Sequence, residues 1–348
     1  MAEFGKIIGL EESNDCKEME MEKEIKWGLM GAGRISGWFA TALSVLPDAN
    51  CYAIASRTLE KSQQFAKQYE FSRAYGSYEE MLQDDKVDVV YIGTPVREHY
   101  NNIMMCLKAG KNVLCEKSLT VNALQAKEVV KLAREKNLFL MEAMWTKCQP
   151  VFCQIKQWIA DGLLGEIKAV DIHFYTKTGK GHRLYKHELA GGALLDLGYY
   201  PVTYACALMN HHPLEVQSHS IIGNGNVDYL DSIVLEYEDG RFTHLSCGLG
   251  AEKMVSLYIL GTKGRISMQE EYFFQAQKVE VLDFDNDVIA SYEGPFLKNG
   301  YEFEAIEVMN CLRNGQTESN RVTLDDTVAV MEILDICREK AKFKYDFE

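Results

Sequence analysis

Short apolar runs alternate with amphipathic stretches through the first half of the chain. The apolar runs predict five strands, at residues 27–30, 50–55, 87–93, 112–115 and 139–142. The stretches between them predict helices at residues 34–46, 59–69, 78–83, 99–109 and 121–136. Nearly continuous apolar strands that alternate with helices are typical of a parallel sheet covered on both faces. The pattern therefore predicts an α/β Rossmann domain, with a doubly wound parallel sheet, over residues 25–145.

The pattern changes after Pro150. A predicted helix at 151–161 and a strand at 167–175 precede a polar loop at 176–188 and a helix that begins near Gly191. Strand-like runs then follow between glycine turns, at residues 216–222, 232–237, 242–249, 256–260, 264–268 and 279–282, and helices at 302–312 and 324–340 close the chain. Residues 146–348 are thus expected to form an α+β domain for substrate binding and oligomerisation, with a large, mostly antiparallel open sheet. Residues 1–24 show no clean period and are expected to be an N-terminal extension outside the fold.

Composition narrows the class of protein. The chain has 348 residues, which suits two domains, and its net charge of −14 disfavours nucleic-acid and membrane partners. No apolar run reaches the ~18 residues of a membrane span. The ten cysteines include no Cys-x-x-Cys pair, and the first residues lack the pattern of a secretory signal, so we expect a cytoplasmic protein with reduced thiols. An open sheet needs covering, which predicts a homodimer or homotetramer.

A glycine-rich segment joins the first predicted strand to the first predicted helix. Gly31 permits a tight turn, Gly33 lets a pyrophosphate approach the backbone, and Ser36 stands where a third glycine is common. The helix N-terminus would supply unpaired N–H groups and partial positive charge. Glycines can mark a turn by chance, but the strand before and the helix after favour a dinucleotide site. Gly31, Gly33, Arg34 and Ile35 are the expected cofactor contacts.

The end of the second predicted strand bears on which dinucleotide binds. NAD enzymes usually place a carboxylate there for the ribose 2′-hydroxyl, whereas this strand ends in Ser56 and Arg57. A guanidinium can bind a 2′-phosphate in bidentate fashion, and a hydroxyl can donate to it. NADP is therefore expected. The alternative is that Arg57 only stacks on adenine, which would also allow NAD.

Further candidate cofactor contacts lie where the next strands end. Thr94 and Pro95 follow the third predicted strand, at the sheet edge where such folds bind ligands. His99 lies four residues beyond Pro95, where a structural role and a ligand contact are both open. Glu116 and Lys117 end the strand after that and complete the expected cofactor contacts at this edge.

Lys117 also carries the candidate chemistry, together with Asp196 and Tyr200. A cation beside a substrate hydroxyl favours alkoxide character during hydride transfer. Asp196 and Tyr200 are four residues apart and would share one helix face. A tyrosine near a lysine can have its phenolic pKa lowered, which would suit a proton donor or acceptor. The alternative is that Asp196 caps the helix and Tyr200 is a core aromatic.

The remaining polar features suggest less. The loop before the Asp196 helix carries His182, Arg183, Tyr185 and His187, and it is either a solvated loop or a lid in which Arg183 or Tyr185 touches substrate hydroxyls. His211 and His212 precede Pro213 and predict a turn. No metal site is expected, because the sequence has no His-Glu-x-x-His motif or cysteine cluster and hydride transfer needs no metal.

Taken together, these motifs resemble those of the Gfo/Idh/MocA oxidoreductases. The resemblance rests on four segments in the family's order: Gly31-Ala32-Gly33-Arg34-Ile35-Ser36, Thr94-Pro95 with His99, Gly110-Lys111-Asn112-Val113-Leu114-Cys115-Glu116-Lys117, and Asp196-x-Gly198-x-Tyr200. It runs from about residue 25 to the end of the chain. Residues 141–147 and 183–196 are most similar to the branch of dimeric dihydrodiol dehydrogenases and NADP-dependent D-xylose dehydrogenases.

The resemblance implies roles for several residues. Lys117 would lie beside the reacting hydroxyl, Tyr200 would be the general acid/base, and Asp196 would orient the substrate or Lys117. Arg57 would meet the 2′-phosphate, and Trp145 would line the nicotinamide side of the cleft. The open sheet would form a subunit interface. Family members usually have proline after the lysine, so Ser118 leads us to expect a slightly different position of the Lys117 loop.

We therefore predict an NADP-dependent dehydrogenase or reductase that acts on a secondary alcohol of a sugar, polyol or vicinal diol. One alternative is a catalytically silent sensor that binds a dinucleotide and regulates a partner. Such a sensor would need neither Lys117 nor Tyr200. Another is an NAD-dependent inositol-type dehydrogenase, against which Arg57 and Tyr200 both count, because many relatives carry histidine at the Tyr200 position.

Overall fold

A computed structural model describes residues 23–179, 181–209, 212–269 and 272–348. The first sheet has six parallel strands in the order β3-β2-β1-β4-β5-β6. Its strands are β1 (Ile25–Met30), β2 (Ala49–Ala55), β3 (Arg73–Tyr75), β4 (Val89–Ile92), β5 (Asn112–Glu116) and β6 (Leu140–Ala143). The helices between them are α1 (Arg34–Leu43), α2 (Leu59–Tyr69), α3 (Tyr78–Leu82), α4 (Val96–Lys108) and α5 (Ala123–Lys136). This is the predicted doubly wound sheet. The sequence reasoning missed only β3, which has three residues.

Burial of the strands and capping of the helices explain why the elements of this first unit form where they do. Strands β4 and β6 are buried at every position. The Phe39 ring on α1 stacks on Tyr91 of β4 at 3.9 Å between centroids. Side chains of Thr58 and Asn122 accept hydrogen bonds from the first turns of α2 and α5, which fixes where these helices begin. Helix α4 begins at Val96 because Pro95 is its N-cap, three residues earlier than predicted.

The second sheet has eight strands in the order β14-β13-β12-β11-β7-β10-β9-β8. They are β7 (Ile167–Thr176), β8 (Glu215–Ile222), β9 (Asp228–Glu236), β10 (Phe242–Leu249), β11 (Met254–Gly261), β12 (Arg265–Gln269), β13 (Lys278–Leu282) and β14 (Val288–Glu293). Every neighbouring pair is antiparallel except β7 and β10, which run parallel at the centre. The mostly antiparallel sheet is confirmed, although the sequence did not predict β14.

Four more helices are described in this half of the chain: α6 (Pro150–Ala160), α7 (Tyr199–Met209), α8 (Glu302–Arg313) and α9 (Leu324–Lys340). Helices α6, α7 and α9 contact the second sheet. Helix α8 packs on α1 and α9 packs on α5, and Asp335 of α9 accepts a hydrogen bond from Ala123 N at 2.8 Å. The end of the chain thus holds both units together, and the predicted division at residue 145 stays a prediction. His211 and residues 1–22 lie outside the described residues.

Candidate active site

The turn between β1 and α1 forms a cradle that can receive an anion. Gly31 has φ +99, and a Cβ there would lie 3.1 Å from the Thr94 Cγ2 atom and 3.2 Å from the Gly93 carbonyl oxygen. Gly33 is the N-cap of α1 and no side chain caps this helix, so the first N–H groups of α1 have no side-chain acceptor. Unpaired N–H groups at a helix N-terminus attract phosphate. Arg34 begins the helix and is exposed.

The two predicted cofactor contacts at the end of β2, Ser56 and Arg57, differ in their availability to a ligand. Ser56 is buried, and its hydroxyl donates to the Thr58 carbonyl and accepts from the Ser62 hydroxyl, both at 2.9 Å. Arg57 is exposed and forms no hydrogen bond or ion pair within the described part of the chain. The guanidinium of Arg57, rather than the hydroxyl of Ser56, is therefore the group available to a ligand.

His99 does not present a ring nitrogen to the cleft. It is 1% exposed, its Nε2 lies 2.8 Å from the Thr94 carbonyl oxygen, and its Nδ1 lies 2.8 Å from the Ser118 carbonyl oxygen. Both ring nitrogens are therefore used within the chain. Of the two interpretations left open, the structure favours the structural one: His99 ties the loop after β4 to the loop that carries Lys117. Thr94 is also held, because its hydroxyl accepts from Asn102 Nδ2 at 2.9 Å.

Lys117, Asp196 and Arg183 meet although they are far apart in sequence. Lys117 Nζ donates to the Asp196 carbonyl oxygen at 2.7 Å and to Asp196 Oδ1 at 3.0 Å. Arg183 Nη2 donates to the same Oδ1 at 3.0 Å. Burial alone raises the pKa of Asp196, but the cations Lys117 and Arg183 outweigh it and hold that pKa well below its usual range. Asp196 is therefore an ionised carboxylate that orients the Lys117 ammonium group, and it does not act as a helix cap.

A distorted turn in the helix places Asp196. Residues Leu194–Gly198 form a π-helical segment that continues into α7, and Gly198 N donates to the Ala193 carbonyl oxygen. Such turns are common at functional sites. The Ser118 hydroxyl donates to the Leu195 carbonyl oxygen at 2.7 Å, so consecutive residues of the lysine loop bind consecutive carbonyls of this segment. The Lys117–Ser118 peptide bond is cis.

Tyr200 lies against the same lysine but in an apolar setting. Lys117 Nζ lies 4.7 Å from the centre of the Tyr200 ring. The ring stacks on Phe274 at 4.5 Å between centroids, and its oxygen accepts from Trp145 Nε1 at 3.1 Å. Burial raises the pKa of Tyr200 well above its ordinary value, and the hydrogen bond from Trp145 opposes this only in part. The expectation that Lys117 lowers this pKa is wrong, because desolvation of the phenol outweighs the nearby cation.

Two glycines bring the Arg183 loop onto the site. A Cβ on Gly191 would lie 2.7–2.9 Å from the carbonyl oxygens of Leu184, Lys186 and Arg183, and Gly192 has φ +132. Only residues without side chains permit this close approach. Arg183 is about half exposed, whereas the Tyr185 hydroxyl donates to the Thr178 carbonyl oxygen at 3.3 Å within the loop. Arg183 therefore reaches the centre of the site, and Tyr185 lies in the loop beside it.

The last residues of the chain fasten this loop. The Tyr345 hydroxyl donates to the Gly191 carbonyl oxygen at 2.6 Å. His187 Nε2 accepts from Asp346 N at 3.1 Å, and Arg97 stacks over the Phe347 ring at 4.7 Å while it donates to the Glu188 carbonyl oxygen. Residues 345–347 and Arg97 thus contact the predicted loop and the glycine turn that follows it. These contacts argue against a loosely solvated loop.

Two buried carboxylates lie beside the site: sequence reasoning missed Glu142, and it predicted Glu116 only as a cofactor contact. Glu142 is 2% exposed and accepts from Leu119 N, the Tyr199 hydroxyl and the Thr327 hydroxyl. Burial raises its pKa to about 7. Glu116 accepts from the Tyr91 hydroxyl at 2.7 Å and from Lys117 N, and burial raises its pKa to about 7 as well. A charged residue inside an otherwise apolar strand, as at Glu142, is the signal that could have found it.

The residues at the edge of the first sheet fit a nicotinamide dinucleotide. Gly31 and Gly33 leave space for a pyrophosphate at the uncapped start of α1. Arg57 is available at the end of β2, and Lys117 and Tyr200 meet at the end of β5. Trp145 stacks on Tyr301 at 4.4 Å between centroids, beside Tyr200. Among the described residues, no helix is long and apolar enough to cross a membrane.

Comparisons with known proteins place the chain in a class and then in a family. A model of an oxidoreductase family with an NAD-binding Rossmann fold matches residues 25–144. A model of the GFO/IDH/MocA C-terminal domain matches residues 152–267. Fold and matches together define an oxidoreductase with an NAD(P)-binding Rossmann domain. The chain belongs to the Gfo/Idh/MocA family, as its motifs predicted.

Two curated relatives are similar along almost the whole chain. They are the trans-1,2-dihydrobenzene-1,2-diol dehydrogenases of Xenopus laevis and Bos taurus. The first is 35% identical over 337 residues, which is 92% of this chain and 99% of the relative. The second is 33% identical over 322 residues, which is 90% of this chain and 96% of the relative.

Solved structures share the fold. A 3-ketoreductase from Actinomadura kijaniata in complex with NADP and TDP-benzene is 26% identical, with a TM-score of 0.80 over 91% of this chain and 98% of its own. A levoglucosan dehydrogenase in complex with NADH and levoglucosan is 18% identical, with a TM-score of 0.83 over 92% and 97%. The neighbours thus hold NADP in one case and NADH in the other.

Proposed function

We propose that this protein is an NADP-dependent dehydrogenase or reductase that acts on a secondary alcohol of a sugar or a vicinal diol. The observation that carries the proposal is the convergence of Lys117, Asp196 and Tyr200 at the carboxyl edge of the first sheet. A bound nicotinamide dinucleotide would supply or take up the hydride. The names of the similar proteins, trans-1,2-dihydrobenzene-1,2-diol dehydrogenases and a 3-ketoreductase, agree with a small hydroxylated or ketone substrate.

Lys117 and Tyr200 have different roles at the substrate oxygen. The Lys117 ammonium group, held by the backbone and side chain of Asp196, donates a hydrogen bond to the substrate oxygen and stabilises negative charge there. The Tyr200 oxygen accepts from Trp145, which leaves its O–H free to donate. Because its pKa is raised, Tyr200 stays protonated and is suited to give its proton to a carbonyl oxygen in the reducing direction.

Arg183 is the residue best placed for further substrate hydroxyls. It is half exposed, it contacts Asp196, and its loop covers the start of the π-helical segment. We include Tyr185 as a neighbouring contact from the same loop. The aromatic surface of Trp145, Tyr200 and Phe274 would pack against the carbon face of a ring.

The choice of NADP over NAD rests on Arg57. A ribose 2′-phosphate would find an unpaired guanidinium at the end of β2. Charge-assisted hydrogen bonds contribute about 1.5–3 kcal/mol, so Arg57→Ala should weaken NADPH binding about 10- to 150-fold. NADH affinity should change less than threefold. Titrations followed by nicotinamide fluorescence measure both; equal losses for the two cofactors would mean that Arg57 stacks on adenine.

The catalytic pair has its own test, with Tyr200→Phe. Phenylalanine keeps the stacking on Phe274 but removes the proton, so turnover of the best diol or sugar should fall about 10²- to 10⁴-fold while NADPH affinity stays within threefold. Tyr258→Phe is the matched control, because it removes a phenolic hydroxyl from a half-buried position on β11, outside the site, and should leave turnover unchanged. Normal turnover in Tyr200→Phe would exclude the acid/base role, and NADPH binding without turnover of any diol or sugar in the unmodified chain would support the sensor.

We also propose that the open face of the second sheet pairs with another copy, giving a homodimer or homotetramer. Large apolar side chains lie exposed on β10 and β11, among them Phe242 and Met254. The described cysteines are all free thiols, which fits the cytoplasmic location that we infer from their spacing. Light scattering of the purified protein would give the number of copies.

A further inference from the structure

Three potential metal ligands lie on the second sheet, on the face opposite its buried side. Asp171 and His173 are two residues apart on β7 and therefore point to the same face. His244 on β10 is the direct register partner of Asp171 in the parallel pair. None of the three takes part in the candidate active site, and the proposed function gives them no role.

The side chains already converge on one point. His173 Nε2 lies 2.9 Å and His244 Nδ1 lies 3.2 Å from the same oxygen, Asp171 Oδ1. One ligand atom from each residue lies within 4.8 Å of the other two. Ligands of tetrahedral zinc, with bonds of about 2.0–2.2 Å, stand roughly 3.3 Å from one another. Small side-chain rotations would therefore suffice to receive an ion.

Serine hydroxyl groups contact the ring nitrogens of both histidines that point away from Asp171. His173 Nδ1 lies 2.5 Å from the Ser246 hydroxyl, and Ser246 is the register partner of His173 on β10. His244 Nε2 lies 3.4 Å from the Ser232 hydroxyl on β9. Partners of this kind hold the ring orientation of metal-binding histidines, and a hydroxyl can accept from the far ring N–H when the near nitrogen binds an ion. His173 thus presents Nε2 and His244 presents Nδ1 toward Asp171.

We propose that Asp171, His173 and His244 form a binding site for a divalent transition-metal ion of the zinc type. Two imidazole nitrogens and one carboxylate oxygen suit Zn²⁺ or Co²⁺, whereas Mg²⁺ and Ca²⁺ prefer all-oxygen sites. In a single copy the Asp171 and His244 side chains are 40% and 41% exposed, so the fourth position is open to water or to a side chain of a second copy that pairs on this face. The ion would link the two parallel strands at the centre of the sheet.

The same geometry also permits a hydrogen-bonded cluster without an ion. In that state Asp171 Oδ1 accepts from His173 Nε2 and His244 Nδ1. A bound ion would replace both contacts, so the experiment must distinguish a metal site from this hydrogen-bonded cluster.

The test uses the full chain, treated with a chelator that is then removed. Titration with ZnCl₂ by calorimetry should show one saturable ion per chain, and CoCl₂ should produce the visible bands of a four-coordinate site. His173→Ala and His244→Ala should each weaken Zn²⁺ binding by tenfold or more. The matched control is His219→Ala, an exposed histidine of β8 on the same face, which should bind within twofold of the unmodified chain.

A second variant covers the case in which a ligand substitution disturbs folding. Ser246→Ala leaves all three ligands in place but removes the partner of His173 Nδ1, and it should weaken Zn²⁺ binding about 10- to 100-fold. NADPH binding should be unchanged in every variant, since the cluster lies outside the dinucleotide cradle. Absence of saturable binding, or equal affinity in His173→Ala and His219→Ala, would overturn the proposal and leave a hydrogen-bonded cluster only.

Discussion

Glu142 joins three parts of the chain, and its protonation should be measurable as stability. It sits in β6, and its carboxyl accepts from the Tyr199 hydroxyl of α7 and the Thr327 hydroxyl of α9. Burial raises its pKa to about 7 from an ordinary 4.5. The folded chain therefore holds this proton more tightly than the unfolded chain. It follows that the contribution of Glu142 to the free energy of unfolding decreases as the pH rises from about 4.5 to about 7, and then stays level.

The size of the effect follows from the two pKa values. Compared with low pH, where the carboxyl is protonated in both states, this difference in pKa lowers the free energy of unfolding by about 1 kcal/mol at pH 5 and about 3 kcal/mol at pH 8. Glu142→Gln keeps an acceptor for Leu119 N and Tyr199 and offers a donor to Thr327, but it cannot ionise. The free energy of unfolding of the variant, relative to the unmodified chain, should therefore rise by about 2–3 kcal/mol between these pH values.

Urea unfolding at pH 5, 6, 7 and 8 measures this difference. Glu339→Gln, at an exposed position of α9, is the control and should show no such dependence. A difference between Glu142→Gln and the unmodified chain that stays constant from pH 5 to pH 8 would refute the reasoning. In that case Glu142 would titrate alike in the folded and unfolded states.

Two further substitutions test how the site is held. Asp196→Asn removes the carboxylate that faces Lys117 and Arg183, and because Lys117 is mostly buried, we expect a loss of ~3 kcal/mol in urea unfolding at pH 7, together with lower turnover. Because the pKa of Asp196 is lowered on folding, the ion pairs contribute stability above pH 3.8, the ordinary pKa of the carboxyl, and this contribution is lost only as the pH falls below it. Equal free energies of unfolding for Asp196→Asn and the unmodified chain at pH 7 would contradict the ion pairs. Tyr345→Phe leaves the Gly191 carbonyl oxygen without its donor, which should cost about 1–3 kcal/mol and raise KM for the substrate through a looser Arg183 loop, whereas Tyr258→Phe, at a half-buried position on β11, should leave KM unchanged.

Local pattern was enough to predict most elements and the cofactor cradle. The periods of apolar residues, the turn at Gly31 and the helix that follows it depend on neighbours within a few residues. The same holds for the placing of Lys117 at the end of β5, because parallel strands present their carboxyl ends at one edge. The short edge strands β3 and β14 were not predicted, because three to six half-exposed residues give little periodicity.

Which side chains meet, and how their surroundings change their pKa values, depends on long-range packing. Lys117 and Asp196 are 79 residues apart, and Asp171 and His244 are 73 apart, so no local spacing could reveal either cluster. The pKa of Tyr200 rises rather than falls because burial removes water from the phenol, on which Phe274 stacks, and this contribution appears only after packing. Local sequence was thus sufficient to predict most elements and the residue types available for chemistry. Desolvation and long-range pairing, which depend on the folded arrangement, determined their charge states and their partners.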